Sequence, residues 1–232
     1  MGLLTVRTTT DHVYEYLREM LWSGSFKLGE RLNENQIAAQ LGVSRSPLRE
    51  ACHRLANEGL VVFERRRGAF VRDFSLRDIA EIYETRAALA SWIIRHQKEI
   101  PPRVIKELEK YVLQMKGFAS EGNIRGYRQA DRAFDDTLRS LCENSRIANF
   151  LSVLESQVRL ICAAITSEGS PTLLNLGDEA ETHFEIWRAL KEGRLLDAAL
   201  TMEAHILAVK NALLRRLEQG STALSSAKAT SG

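Results

Sequence analysis

At 232 residues, with 32 Lys and Arg against 30 Asp and Glu, the chain carries a formal net charge of +2 and is long enough for two modest domains. This balance excludes a bulk polycation, so any binding to nucleic acid must rest on local clusters of basic side chains. Three widely spaced cysteines, Cys52, Cys142 and Cys162, exclude a disulfide framework and a Cys-rich zinc site and point to a reducing cytoplasm. No secretory leader pattern and no uninterrupted apolar stretch of bilayer-spanning length is evident, so a soluble, cytoplasmic protein without a membrane partner is expected.

Taken in chain order, Val13, Tyr14, Leu17, Met20 and Leu21 recur at helical spacing over residues 11 to 23, predicting an amphipathic first helix that ends near Gly24. Asn33 with Gln36 three residues on makes a capping-box-like start for a second helix, Glu34 to Leu41, with Ile37, Ala38 and Leu41 toward a core. Gly42 permits a tight turn, and Ser46 is placed to cap a third helix that begins at Pro47 and runs to Glu58. Leu48, Ala51, Cys52 and Leu55 form its apolar stripe, which leaves Arg45, Arg49 and His53 pointing elsewhere and makes Cys52 a packing residue. Leu60 to Phe63 and Ala69 to Val71 read as two short strands joined by a turn that carries Arg65, Arg66, Arg67 and Gly68.

Three helices and a basic hairpin predict a winged helix-turn-helix over residues 1–74. In that architecture the third helix enters the major groove. Guanidinium groups at Arg45 and Arg49 would reach guanine edges, the helix N-terminus with Ser44 or Ser46 would hold a phosphate, and the arginine-rich wing would follow the backbone or minor groove. The run Gly29-Glu30-Arg31-Leu32-Asn33-Glu34, then Ile37-Ala38, Leu41 to Ala51, Leu55, Glu58-Gly59-Leu60-Val61 and Arg67-Gly68 resembles the GntR family of bacterial transcription regulators. The resemblance implies a homodimer on an inverted-repeat operator of double-stranded DNA. By position, Arg45 and Arg49 would read bases, and Ser44, Ser46, Arg31, Arg66, Arg67 and Gly68 would contact the backbone.

Asp73-Phe74-Ser75 is a short connection, and Ser75 can cap the next helix. Residues 75–219 are helical in pattern, with helices predicted at 76–98, 102–119, 123–143, 145–167, 178–192 and 194–219. The breaks fall at Pro101-Pro102, Gly122, Asn144, a Gly169-Ser170-Pro171 loop and Gly193. The predicted fold is therefore mainly α, a winged helix-turn-helix followed by an all-α six-helix bundle. Residues 220–232, rich in Ser, Ala, Thr and Gly, read as a disordered tail. No phosphate loop, nucleophile elbow or His-Glu-x-x-His pair occurs.

On the helix over 123–143 the inward stripe runs Tyr127, Asp131, Phe134, Asp135, Leu138, Leu141 and Cys142, so two carboxylates sit four residues apart on an apolar face. Such a pair needs a cation, and Arg139, Arg159 or a metal would each serve. His183 shares a stripe with Ala180, Ile186, Trp187 and Leu190, and His205 lies on a face of small residues. Four potential ligands on three helices suit a divalent metal; two satisfied core histidines are the other reading, and the spacing leaves both open.

This second half resembles the FCD ligand domains of the FadR branch of GntR regulators, and its six helices the VanR-like subgroup. Those domains commonly carry Asp-x-x-Phe-His followed by two further histidines. Here the run is Asp131-Arg132-Ala133-Phe134-Asp135, with His183 and His205 following. The resemblance implies a divalent metal (zinc, nickel or similar) on Asp131, Asp135, His183 and His205, with Asp135 departing from the usual histidine. It also makes Arg86, in Glu84-Thr85-Arg86, the anchor for a small carboxylate effector, and Asn144 a further pocket residue. Without the resemblance, Arg86 reads as a salt bridge to Glu81 or Glu84. The function expected is an effector-controlled DNA-binding regulator. A regulator answering to the metal alone is the first alternative, and a metal-dependent hydrolase the second.

Overall fold

The computed structural model describes residues 7–165 and 174–229; the predicted Gly169-Ser170-Pro171 loop and the end of the predicted tail lie outside the described residues. The chain divides into two compact units, Met1–Ser75 with Glu155–Ser170, and Leu76–Leu154 with Pro171–Gly232.

The first unit holds α1 (Thr9–Trp22), α2 (Glu34–Leu41), α3 (Arg45–Asn57), β1 (Val61–Glu64) and β2 (Gly68–Val71). α1 starts earlier than its apolar spacing suggests, because Thr8 and Asp11 form a reciprocal capping box. Val13, Tyr14, Leu17 and Leu21 bury its inner face, and α1 packs on α3. Polar contacts fix that packing: Arg54 Nη1 donates to Asp11 Oδ1 at 2.7 Å, the Tyr14 hydroxyl donates to Glu58, and the Arg54 guanidinium lies 4.1 Å from the Tyr14 ring centre. Burial, with Glu58 beside it, pushes the Tyr14 hydroxyl up to about 12, so it stays a donor.

Asn33 accepts from the Gln36 amide to cap α2, as predicted. Gly42 ends it in the left-handed conformation, φ 63°, and the Val43 amide returns to the Ala38 carbonyl. β1 and β2 pair antiparallel from Val61↔Val71 to Glu64↔Gly68. The far edge of β2 is also paired: the Leu32 amide donates to Ala69 at 2.9 Å and the Val71 amide to Glu30 at 2.8 Å. The stretch before α2 thus braces the wing, a pairing not foreseen from sequence.

The second unit is helical: α4 (Leu76–Arg95), α5 (Pro102–Ser120), α6 (Ile124–Arg139), the start of α7 (Ser145–Ile165), α8 (Leu176–Lys191) and α9 (Leu195–Ala229). α4 packs on α9 and α6, α5 on α6 and α8, and α8 on α9. A Cβ at Gly126 of α6 would lie 2.7 Å from the Phe118 ring, so a glycine allows this close approach of α5 and α6. Trp187 Nε1 donates to the Ile105 carbonyl, and Lys210 pairs with Glu84 at 2.8 Å, tying α8 to α5 and α9 to α4.

α7 spans the division between the two units. Its second half groups with the first unit, where it finds partners. Trp22 Nε1 donates to the Ser156 carbonyl, Gln157 Nε2 donates to the Glu58 carbonyl at 3.0 Å, and Arg159 lies over the Trp22 ring. By length and composition alone the helix could cross a membrane, although Arg146, Glu155 and Arg159 interrupt its apolar run. Its most apolar window has mean hydropathy 1.3, and only 22% of that window is buried. α9 continues to Ala229, into the stretch whose composition reads as disordered.

Candidate nucleic-acid interface and effector site

The first candidate site is the N-terminal end of α3. The helix begins at Arg45 with Ser44 as its N-cap, not at Pro47 with Ser46 as cap. Pro47 is tolerated as the third helical residue because the first-turn amides of a helix have no internal acceptor to lose. The Ser44 hydroxyl makes no capping bond, so the α3 N-terminus keeps its amide donors for an external anion. Ser44, Arg45, Ser46 and Arg49 are all exposed, while Leu48, Ala51, Cys52 and Leu55 are fully buried behind them. The sequence-predicted residues are therefore presented together on one outward end. Cys52 is a core residue, its thiol pushed up to about 12 by burial.

The wing supplies the second basic element. Arg66 takes a positive φ of 64° at the tip, and Gly68 follows at φ 100°, closing the tight turn between β1 and β2. Arg31 lies at the base: a Cβ on Gly68 would stand 3.8 Å from its Nη2. Arg67, 68% exposed, is also engaged within the hairpin. It is ion-paired with Glu64 and lies over the Phe70 ring, and with Arg65 and Arg66 it forms an exposed basic tip. His53 stacks on Phe63 at 4.3 Å between ring centres, fixing α3 against β1; sequence reasoning left His53 without a role.

The second candidate site lies inside the second unit, where α4, α6, α8 and α9 meet. Arg86 of α4 donates through Nη2 to Asp135 of α6, and the two side chains are only 13% and 14% exposed. Neither Glu81 nor Glu84 is its partner: Glu81 pairs with Arg77 and Glu84 with Lys210. Burial opposes the Arg86 charge, but Asp135 above all holds its pKa above the ordinary value. Burial pushes the Asp135 carboxyl up, with Arg86 pulling against it and Asp131 adding to the push.

Asp131, one turn before, accepts from His183 Nε2 at 2.9 Å, and His183 Nδ1 lies 2.8 Å from the Glu179 carbonyl. Burial opposes the Asp131 charge, but the His183 bond and charge bring its pKa down to about 2. His183 is held above its ordinary value, burial working against Asp131. His205 sits edge-on to His183 at 4.6 Å between ring centres, and burial and the His183 charge lower it to about 3. Beside it, between α8 and α9, lies an open, mainly apolar pocket of ≈ 320 Å³ whose polar wall groups include Asn175, Asp178, Glu179, Thr182, Thr201 and His205. Burial, with Asp131 nearby, raises Glu179 to about 7.

The four expected metal ligands are thus neighbours without forming one donor set. Asp135 is taken by Arg86, and among the described residues no three His, Cys, Asp or Glu side chains converge on a common point. The residues as placed do not fit a bound metal. Asn144 is not part of the site: its side chain accepts from the Arg146 and Ile147 amides and caps α7. Arg139 and Arg159, offered as cations for the carboxylates, are engaged elsewhere, by Asp136 and over Trp22.

Residues 9–71 match the model for bacterial regulatory proteins of the gntR family, and residues 81–208 match the FCD domain. The chain belongs to the GntR family of transcriptional regulators. The FCD match is consistent with the FadR branch. One relative is the probable D-xylose utilization operon transcriptional repressor of Paenarthrobacter nicotinovorans, 30% identical over 200 residues, covering 85% of this chain and 86% of that one. An uncharacterized HTH-type regulator of Bacillus subtilis, YdhC, is 43% identical over 76 residues; that match spans about a third of each chain. In three dimensions, a GntR regulator from Rhodococcus sp. RHA1 superposes with TM-score 0.73 at 26% identity, over 88% of this chain and 97% of the other. These relatives are regulators and not enzymes, which sets aside the hydrolase alternative for this GntR protein.

Proposed function

We propose that this GntR regulator binds an inverted-repeat operator as a homodimer and that a small acidic effector, bound in the helical unit, changes its operator affinity. The observation that carries the DNA half is the uncapped α3 N-terminus with Arg45 and Arg49 exposed beside it. Base reading falls to these two arginines, and backbone contact to Ser44, Ser46, Arg31, Arg65, Arg66 and Gly68.

The effector half rests on Arg86 and on an open pocket between α8 and α9 whose wall includes His205 but not Arg86. Asp135 engages one nitrogen of the guanidinium, and the remaining donors of the fork suit a ligand carboxylate. That pocket of ≈ 320 Å³, with Asn175, Thr182 and Thr201 in its wall beside Asp178 and Glu179, suits a small, hydroxyl-bearing molecule. The relative named for control of a D-xylose utilization operon supports a catabolic operon and an effector of that size.

Homodimer formation is supported by α7, an apolar helix most of whose residues are only part-buried in one copy and whose Phe150 is 68% exposed. A second copy is the occupant that fits a regulator with paired half-sites. The test is operator affinity at fixed salt with and without a panel of sugar acids: an effector-dependent change is expected, and an operator affinity indifferent to every acid tried counts against the effector reading.

A further inference from the structure

We infer that the cation of the effector site is Arg86 itself and that the bundle works without a bound metal ion. The inference rests on the effector-site reading above and on the commitments of four side chains. A metal here needs Asp131, Asp135, His183 and His205 to turn lone pairs toward one point. The Asp135 carboxylate is spent on Arg86 across two helices, with both side chains nearly closed off from solvent. His183 has both ring nitrogens engaged, Nδ1 at 2.8 Å from the Glu179 carbonyl and Nε2 at 2.9 Å from Asp131. A carbonyl oxygen only accepts, so Nδ1 carries the hydrogen of that bond, and Nε2 and the carboxylate of Asp131 share another. His205 meets the His183 ring at its edge and faces the cavity.

Charge balance points the same way. Arg86 remains protonated at any physiological pH, so its buried guanidinium must keep a counterion. Drawing Asp135 onto a metal would strand that guanidinium beside a new divalent cation. Both changes act against binding. Asp135 is thus the deciding residue. An imidazole in its place would leave Arg86 without a negative partner and present a metal donor, whereas the carboxylate neutralises Arg86 and closes the donor set. An acidic effector is then held by the remaining N–H groups of Arg86 and not by a metal.

The test uses the full chain, expressed with zinc, nickel and manganese in the medium and purified without chelator or metal-affinity steps. Metal content is measured by mass spectrometry, and melting is compared in zinc chloride and in EDTA. The expected result is far less than one metal per chain and the same melting temperature in both. An equimolar metal content, or melting that rises with zinc, overturns the inference. The double substitution Arg86→Gln with Asp135→His removes the stranded cation and supplies the imidazole, and it is expected to take up equimolar zinc. A folded double variant that binds none overturns the assignment of metal exclusion to this ion pair. If that variant does not fold, the metal content of the native chain decides alone. Metal content is read without operator or effector, so failure here and failure of the effector reading are separate results.

Discussion

Arg86 and Asp135, 49 positions apart in the chain, face each other between α4 and α6 as a nearly buried ion pair. Removing one partner leaves the other charge without its counterion. Asp135→Ala is expected to destabilise the protein by about 3 to 5 kcal/mol, whereas Arg86→Met with Asp135→Leu should cost far less, because both charges leave together. Urea unfolding of the three proteins checks this; equal losses for the single and double variants would argue that the pair is not coupled.

Arg45 and Arg49 are expected to carry sequence preference. Arg45→Ala or Arg49→Ala should each cost about 1 to 3 kcal/mol of operator binding and relax one operator position. Arg66→Ala should instead weaken all duplexes alike and reduce the salt slope by about one. Titrations over a range of salt concentrations, on operator and on scrambled DNA, distinguish the two classes. An Arg66→Ala protein with altered sequence preference would move the wing into base reading.

The legibility of these two sites in sequence differs for a physical reason. The DNA-binding end is built from local features, a left-handed Gly42, an Asn33 cap and an apolar stripe on α3, each set within a few residues of chain. Even there the α3 start is misread by two residues, since Pro47 fits several positions of a first turn. The Thr8–Asp11 capping box was available in sequence as a Thr-x-x-Asp signal and marks the true start of α1. The effector site was legible only as a face. Helical period places Asp131 and Asp135 inward on α6, but which cation answers each carboxylate depends on how α4 and α8 cross α6, and no local pattern encodes that. Likewise the composition of α7 reports apolar residues without reporting which unit receives them.

Glu179 has a pH signature of its own. Burial raises its pKa from 4.5 to about 7. A carboxyl raised on folding favours the folded state while protonated, so its contribution is best below the unfolded value and is lost as pH climbs toward 7. Glu179→Gln should therefore leave stability unchanged near about pH 4 and increase it by about 1 to 3 kcal/mol above about pH 8. Unfolding curves at the two pH values measure this, and a variant equally stable or weaker at the higher pH would show that the carboxylate is not penalised.

The exposed Phe150 side chain of α7 bears on assembly. Phe150→Asp is expected to shift the protein toward monomer in light scattering behind size-exclusion chromatography, and to lower operator affinity because paired half-sites lose their linked binding. A variant that remains dimeric would place the dimer contact on another face.

The most direct test of the account as a whole is selection of the purified protein against random duplexes, followed by footprinting of the enriched sequence. The account predicts an inverted repeat with half-sites centred about 34 Å apart, preferred over scrambled DNA at fixed salt, with that preference reduced by Arg45→Ala or Arg49→Ala. Enrichment of no sequence, with the native protein binding all duplexes equally, would contradict it.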